Sequence, residues 1–254
     1  MYSRNVDGKT LQFGVSGKLW RNAFLLFDRE TKSMWSHFTG DCIAGDHVGK
    51  SLEIVTSTPR ITFASWRERH PTTLVLSVNG VEDPGRDGYA GYHRSKKTGI
   101  VPLENAADDR LDPKAAIIGL VIDGQSRAYP AAALPEHGFV TDELAGVPLL
   151  IYRNSTSQET SIWDLRHEGA TLLLLPREDR PAHEASDAAN ESIWDLSVGL
   201  EKLQDGEPRH LTSVSSFLHT YWFAWRDYYP ETSVFGVESQ KGAAESKPEP
   251  VRQE

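Results

Sequence analysis

Short apolar runs, broken by glycine, proline and charge, recur along the whole chain. Residues 9–15 and 23–27 are the first, punctuated by Gly8, Gly14 and Gly17, and residues 52–56 and 73–76 follow. Each has the length and bounding residues of a β-strand. Between the last two, Ser65-Trp66-Arg67-Glu68-Arg69-His70 predicts one or two helical turns. Pro71 stops them, because proline pushes its predecessor out of the helical region. Residues 115–122 and 125–129 flank Asp123-Gly124, a pair that favours a two-residue hairpin turn. Residues 147–153 and 171–175 continue the β pattern, and residues 224–229 before Pro230 repeat the helical turn.

The pattern also repeats at a distance. Residues 28–77 align with 187–236 at a constant offset of 159 without a gap, and 13 of the 50 positions are identical. Unrelated sequences of this composition would share roughly 3. Asp28/Asp187, Trp35/Trp194, Trp66/Trp225, Arg67/Arg226 and Pro71/Pro230 are among the matches. The expected fold is therefore mainly β with short helical turns, an α+β arrangement remaining open, in two related lobes. Residues 1–78 form the first lobe, 79–114 a connector rich in Gly, Pro and charge, 115–236 the second lobe, and 237–254 a polar, disordered tail. Only 27 residues precede Asp28, whereas about seventy precede its counterpart from Ala115 onward, so the first repeat is expected to be truncated at its N-terminus. An incomplete lobe leaves an open strand edge, and a homodimer through that edge is one expectation.

Net charge of −9 removes general affinity for nucleic acid from consideration. No apolar run reaches the length needed to span a bilayer. No leader opens the sequence, which places the chain as encoded in the cytoplasm. The single cysteine, Cys42, excludes an intrachain disulfide and any multi-cysteine metal site.

Positions that match between the halves are expected to serve the fold, with Trp35 and Trp66 in the core and Arg67 paired with Asp28. Positions that differ are where chemistry could have been added. His37, Cys42, His47 and His70 stand opposite Leu196, Glu201, Gly206 and Tyr229. His37, Cys42 and His47 fall at five-residue intervals, and thiolate with imidazole suits a soft metal. That interval puts successive side chains on opposite faces of a strand, so convergence would need bends at Gly40 and Gly45. Cys42 with His37, His47 or His70 is the alternative, a nucleophile pair. A buried, inert Cys42 is the simpler reading. Asp108, Asp109 and Asp112 could chelate a hard cation, although no EF-hand spacing accompanies them. Tyr89 and Tyr92 in the connector are either clamped against the lobes or offered to a ligand, with Trp35 and Arg67 as further ligand-binding candidates.

Three stretches carry a resemblance: Val6-Asp7-Gly8-Lys9-Thr10-Leu11-Gln12-Phe13-Gly14-Val15-Ser16-Gly17-Lys18-Leu19, Phe27-Asp28-Arg29-Glu30-Thr31-Lys32-Ser33-Met34-Trp35-Ser36, and Trp66-Arg67-Glu68-Arg69-His70-Pro71-Thr72-Thr73-Leu74-Val75-Leu76. With Tyr89-Ala90-Gly91-Tyr92 and Arg127-Ala128-Tyr129-Pro130, they closely resemble the DUF3179 family, bacterial and archaeal proteins of unassigned function. The resemblance implies an upstream Cys-Pro-x-Cys segment and frequent export in full-length relatives; this sequence contains neither the cysteine pair nor a leader. It implies architecture and names no reaction and no cofactor. Two functions follow as expectations. The first is a non-catalytic binding or scaffold module with a cleft between the lobes, taking a small molecule or a protein partner. The second is a hydrolase or oxidoreductase, metal-dependent or not, with its site around His37, Cys42, His47 and His70.

Overall fold

Two-residue turns in the left-handed region join five strand pairs, at Asp7-Gly8, Arg21-Asn22, Asp123-Gly124, Ala145-Gly146 and Glu168-Gly169. The computed structural model describes residues 1–55, 60–76, 88–105, 108–154, 156–202 and 208–237. Strands β1 (Asn5–Val6) and β2 (Lys9–Thr10) pair across Asp7-Gly8, whose φ values are 51° and 76°. Strands β3 (Phe13–Trp20), β4 (Ala23–Asp28), β5 (Met34–Ser36) and β6 (Cys42–Ala44) form an antiparallel sheet in sequence order. Val6, Leu11, Trp35, Cys42 and Leu52 form one buried core cluster. Helix α1 (Phe63–Arg69) follows, capped by the Thr62 hydroxyl, which accepts from the Ser65 N–H. Helix α2 (Ala90–Arg94) lies in the connector.

Further along the chain, β7 (Ala116–Ile122) and β8 (Gln125–Pro130) pair across Asp123-Gly124, at φ 46° and 76°, as the turn chemistry predicts. Strands β9 (His137–Leu144), β10 (Val147–Asn154) and β11 (Glu159–Asp164) form a meander. The short pair β12 (Arg166–His167) and β13 (Ala170–Thr171) precedes a second four-stranded sheet, β14 (Leu174–Pro176), β15 (Glu184–Asp187), β16 (Ile193–Asp195) and β17 (Leu200–Lys202). Strand β18 (Thr212–Ser213) returns to β11. Strand β19 (Phe217–Tyr221) flanks β7. It runs into helix α3 (Trp222–Tyr228), after which β20 (Ser233–Val234) pairs in parallel with β8. The chain is thus mainly β, in several small sheets, with three short α-helices among the described residues.

Local geometry recurs at the sequence offset. The Trp66 indole N–H donates to the Thr73 hydroxyl at 3.0 Å, and Trp225 donates to Thr232 at 2.9 Å. The Leu52 N–H reaches the Gly40 carbonyl at 2.9 Å, and Leu211 reaches Gly199 at 2.8 Å.

Several expectations change. Residues 52–55 hold an isolated bridge at Ile54 and no strand, and Trp66 is half-buried, outside the core. Residues 73–76 carry no strand, since no strand of the described residues pairs with them. Arg67 does not pair with Asp28: it stands exposed on α1, while the buried Asp28 carboxylate takes the Trp35 indole N–H at 2.9 Å and the Thr31 hydroxyl at 2.8 Å. Burial alone would raise the Asp28 carboxyl, and these hydrogen bonds overcome it, holding the group below its ordinary range. The acidic loop is neutralised from within, since Arg110 grips Asp108 at 2.6 Å and donates to the Thr232 carbonyl at 2.8 Å. The expected tail, residues 237–254, lies outside the described residues except for Val237.

Candidate functional site

Helix α3 packs against segments from both ends of the chain. Its Trp222, Trp225 and Tyr228 are buried in one cluster with Ile117, Ala128 and Val234 and with Ala23 and Phe38. Phe38 stacks on Tyr228 with ring centroids 4.3 Å apart, an arrangement that adds to area burial. The Tyr228 hydroxyl donates to the Trp20 carbonyl at 2.9 Å. Both residues of the β3–β4 turn, Arg21 and Asn22, hold positive φ, and both use their side chains as tethers. Arg21 donates to the Asp227 carbonyl at 2.9 Å and pairs with Glu104 at 2.6 Å. Asn22 accepts from the Ile100 and Val101 amides, each at 2.8 Å, so the connector is pinned to the turn.

Packing around α3 is not complete. A cleft of about 640 Å³ remains, with Tyr2, Trp20, Phe38, Trp225, Tyr228 and Tyr229 in its wall. Asp41, Arg21 and His37 supply its charged and polar edge. Burial, followed by the charge of Asp41, pushes the Tyr229 phenol up to about 12. Burial and the neighbouring Tyr229 and Asp41 do the same to Tyr2. Both are therefore hydrogen-bond donors at neutral pH. Tyr2 spends its proton on the Phe38 carbonyl at 3.0 Å, whereas the Tyr229 hydroxyl has no partner among the described residues. Asp41 accepts from the Ser51 hydroxyl at 2.5 Å.

His37 lies between this cleft and a second one of about 700 Å³, bounded by Phe24, Phe223, Tyr89, Tyr92 and Ile100. Its ring stacks on Phe24 at 3.6 Å, and Nδ1 sits 2.8 Å from the Phe24 carbonyl. A carbonyl only accepts, so Nδ1 carries the proton and Nε2 the lone pair of the neutral ring. Burial lowers the His37 pKa, which keeps it in that form.

The remaining sequence candidates scatter. Cys42 is buried with Val6, Leu11, Trp35 and Leu52, donates weakly to the Ala44 carbonyl at 3.4 Å, and has its thiol pushed up by burial. His47 packs at a tilt beside the Trp35 ring, with centroids 5.7 Å apart. His70 caps α1 against Trp66 at 4.1 Å. Among the described residues, no three His, Cys, Asp or Glu side chains converge to hold a metal. Trp35 is buried behind Asp28, and Arg67 points to solvent on α1. Tyr92 is clamped, its hydroxyl donating to the Thr98 carbonyl at 2.8 Å with the Lys114 ammonium 3.7 Å from its ring centre. Tyr89 is 71% exposed at the rim of the second cleft.

Tyr2, Asp41 and Tyr229 were not indicated by motif or spacing. The only signal was the Tyr228-Tyr229 pair beside Trp225, an aromatic density greater than a short helix needs for its own seat. No helix of the described residues is long and apolar enough to cross a membrane. No curated protein and no solved structure matches the chain. The model of a family described as a protein of unknown function, DUF3179, matches residues 1–232, and the chain belongs to that family.

Proposed function

We propose that this chain is a binding module, built from two related lobes by internal duplication, that holds a small organic molecule in the cleft between them. The observation that carries the reading is the cleft itself: six aromatic rings around about 640 Å³, with Asp41 and a Tyr229 hydroxyl unpartnered among the described residues on one edge. Ligand sites are typically apolar concavities of about 300–1,000 Å³ with a few placed polar groups. Aromatic walls take a planar or apolar face, and Asp41 takes a cationic or hydroxyl group. A chain of net charge −9 offers nothing to a polyanion.

A thermal-shift screen with cationic, hydroxylated and aromatic small molecules tests it. A ligand at a hundredfold its Kd stabilises by about 2.7 kcal/mol, a rise of roughly 5–10 °C for a chain this size. Asp41→Asn and Tyr229→Phe should abolish that rise while leaving the melt of the free protein close to wild type. A flat screen on cooperatively folded protein would refute the reading.

One observation favours a second reading, an enzyme in which His37 is the general base. The neutral ring, oriented by the Phe24 carbonyl, directs its chemistry to Nε2 at the boundary of both clefts. His37→Gln separates the two: it removes turnover but not binding if His37 is a base, and there is no turnover to remove if the module only binds.

A further inference from the structure

Helices α1 and α3 have the same local build, and only one of them is covered. The His70 N–H returns to the Trp66 carbonyl at 2.8 Å and the Thr73 N–H to the His70 carbonyl at 3.0 Å. In the second half, Tyr229 returns to Trp225 at 2.9 Å and Thr232 to Tyr229 at 3.1 Å. With the matching Trp–Thr hydrogen bonds, this fixes each tryptophan in the same pose relative to the segment that follows it.

What lies against the two helices differs. Beneath α3 sits the β7–β8 hairpin: Ile117 and Ala128 share a core with Trp222, Trp225 and Val234. Residue 119 must be glycine there, because a Cβ would overlap the six-membered ring of Trp225. Strand β20 then adds to the β8 edge, Val234 opposite Ala128. No residue of α1 is buried. Phe63 and Val75, the counterparts of Trp222 and Val234, are 54% and 70% exposed, and Leu74 and Leu76 are 95% exposed. Residues 73–76 run without a strand partner among the described residues. An exposed apolar face beside an unpaired strand edge marks a docking surface, and one object would satisfy both.

We propose that this face binds a β-hairpin of a partner polypeptide, of the same type as β7–β8. It would place a glycine under Trp66 and a small residue beside Val75, and its edge would pair in parallel with residues 74 and 75. This is strand addition with an aromatic anchor. The inference rests on the correspondence between the halves and not on any ligand of the cleft. A second copy of the chain cannot lend its own hairpin. Ile118, Leu120 and Tyr129 bury one face of β7–β8, α3 covers the other, and β19 and β20 occupy both edges. Polar contacts hold α1 in place for such a partner: the Thr62 N–H donates to the Ser157 carbonyl at 2.7 Å, and Arg69 grips Glu159 through two hydrogen bonds of 2.7 and 2.6 Å.

The probe is a synthetic peptide with the sequence of residues 115–130, cyclised so that the hairpin is preformed. Titrated into the full chain, it should bind saturably, with ¹⁵N shift changes confined to residues 63–76. The same peptide carrying Gly119→Val should bind at least tenfold more weakly. The chain variant Leu74→Asp/Leu76→Asp should lose binding to a similar degree without a change in Tm, since both leucines are solvent-exposed. Equal binding by the valine peptide, or no binding up to about 1 mM, overturns the proposal. So does a dimer in light scattering that Leu74→Asp/Leu76→Asp converts to monomer, because the face would then belong to a second copy.

Discussion

Replacing Trp225 and Trp66 by alanine, one at a time, measures how differently two matching tryptophans are used. Trp225 is 1% exposed, packs against Phe38 and Tyr229, and bonds to Thr232 inside the core. Truncating a fully buried aromatic leaves a cavity and costs about 3–5 kcal/mol. The lost indole hydrogen bond adds about 1 kcal/mol. With roughly 2–4 °C of Tm per kcal/mol for a chain of this size, Trp225→Ala should melt at least ~8 °C below wild type. Trp66 makes the same hydrogen bond and touches His70, but it lies in a helix without one buried residue. Its truncation exposes little new apolar surface and should cost about 1 kcal/mol, or ~2–4 °C. Differential scanning calorimetry and urea titration both read the contrast. Equal losses at the two positions would refute the burial argument and with it the uncovered face of α1.

Other consequences can be checked independently. His219 is half-buried in β19, with its pKa lowered to about 4 by desolvation of its ring and then by Arg60 and Arg153. A histidine depressed from 6.5 contributes stability that is complete above the unfolded value and is lost as pH falls towards 4. His219→Gln should therefore flatten the acid limb of a urea-stability profile by about 2–3 kcal/mol between pH 7 and pH 4.5, and an unchanged limb would exclude this origin. Cys42 should resist a thiol reagent in the native state and react fully in guanidinium, because its thiol is buried and its pKa raised; fast native labelling would contradict the core placement. Glu201, buried opposite Arg209 and held below its ordinary range by that guanidinium, should cost about 3 kcal/mol as Glu201→Gln by urea titration, since Arg209 loses its charge partner.

Periodic and turn chemistry were legible in the sequence because they are local. Asp123-Gly124 dictates its hairpin, and Pro71 and Pro230 each end a helical turn two residues past its last helical residue. Residues 73–76 show where local reading stops. Their apolar content suits a strand, but a strand also needs an edge to pair with, and that is a property of distant chain. The same holds for Asp28, which chose Trp35 seven residues away over the arginine that simple charge pairing suggested. His37 and Cys42 separate because β5 ends between Trp35 and His37, sending one side chain to the cleft and leaving the other in the core around Trp35. A cleft was legible as an expectation of the repeat, but its lining was not, since Tyr2, Asp41 and Tyr229 meet only once α3 has packed against Trp20 and Phe38.

The tether between the β3–β4 turn and α3 has a consequence for biosynthesis. Arg21 and Trp20 find their α3 partners 206 and 208 residues further on. At about 5–20 residues per second, the ribosome needs roughly 10–40 s to supply them. Through that interval Trp20, Ala23 and Phe38 present an uncovered apolar surface on a nascent first lobe. The growing chain is thus exposed to chaperones and to misassembly until α3 has been made, and only then can this surface close.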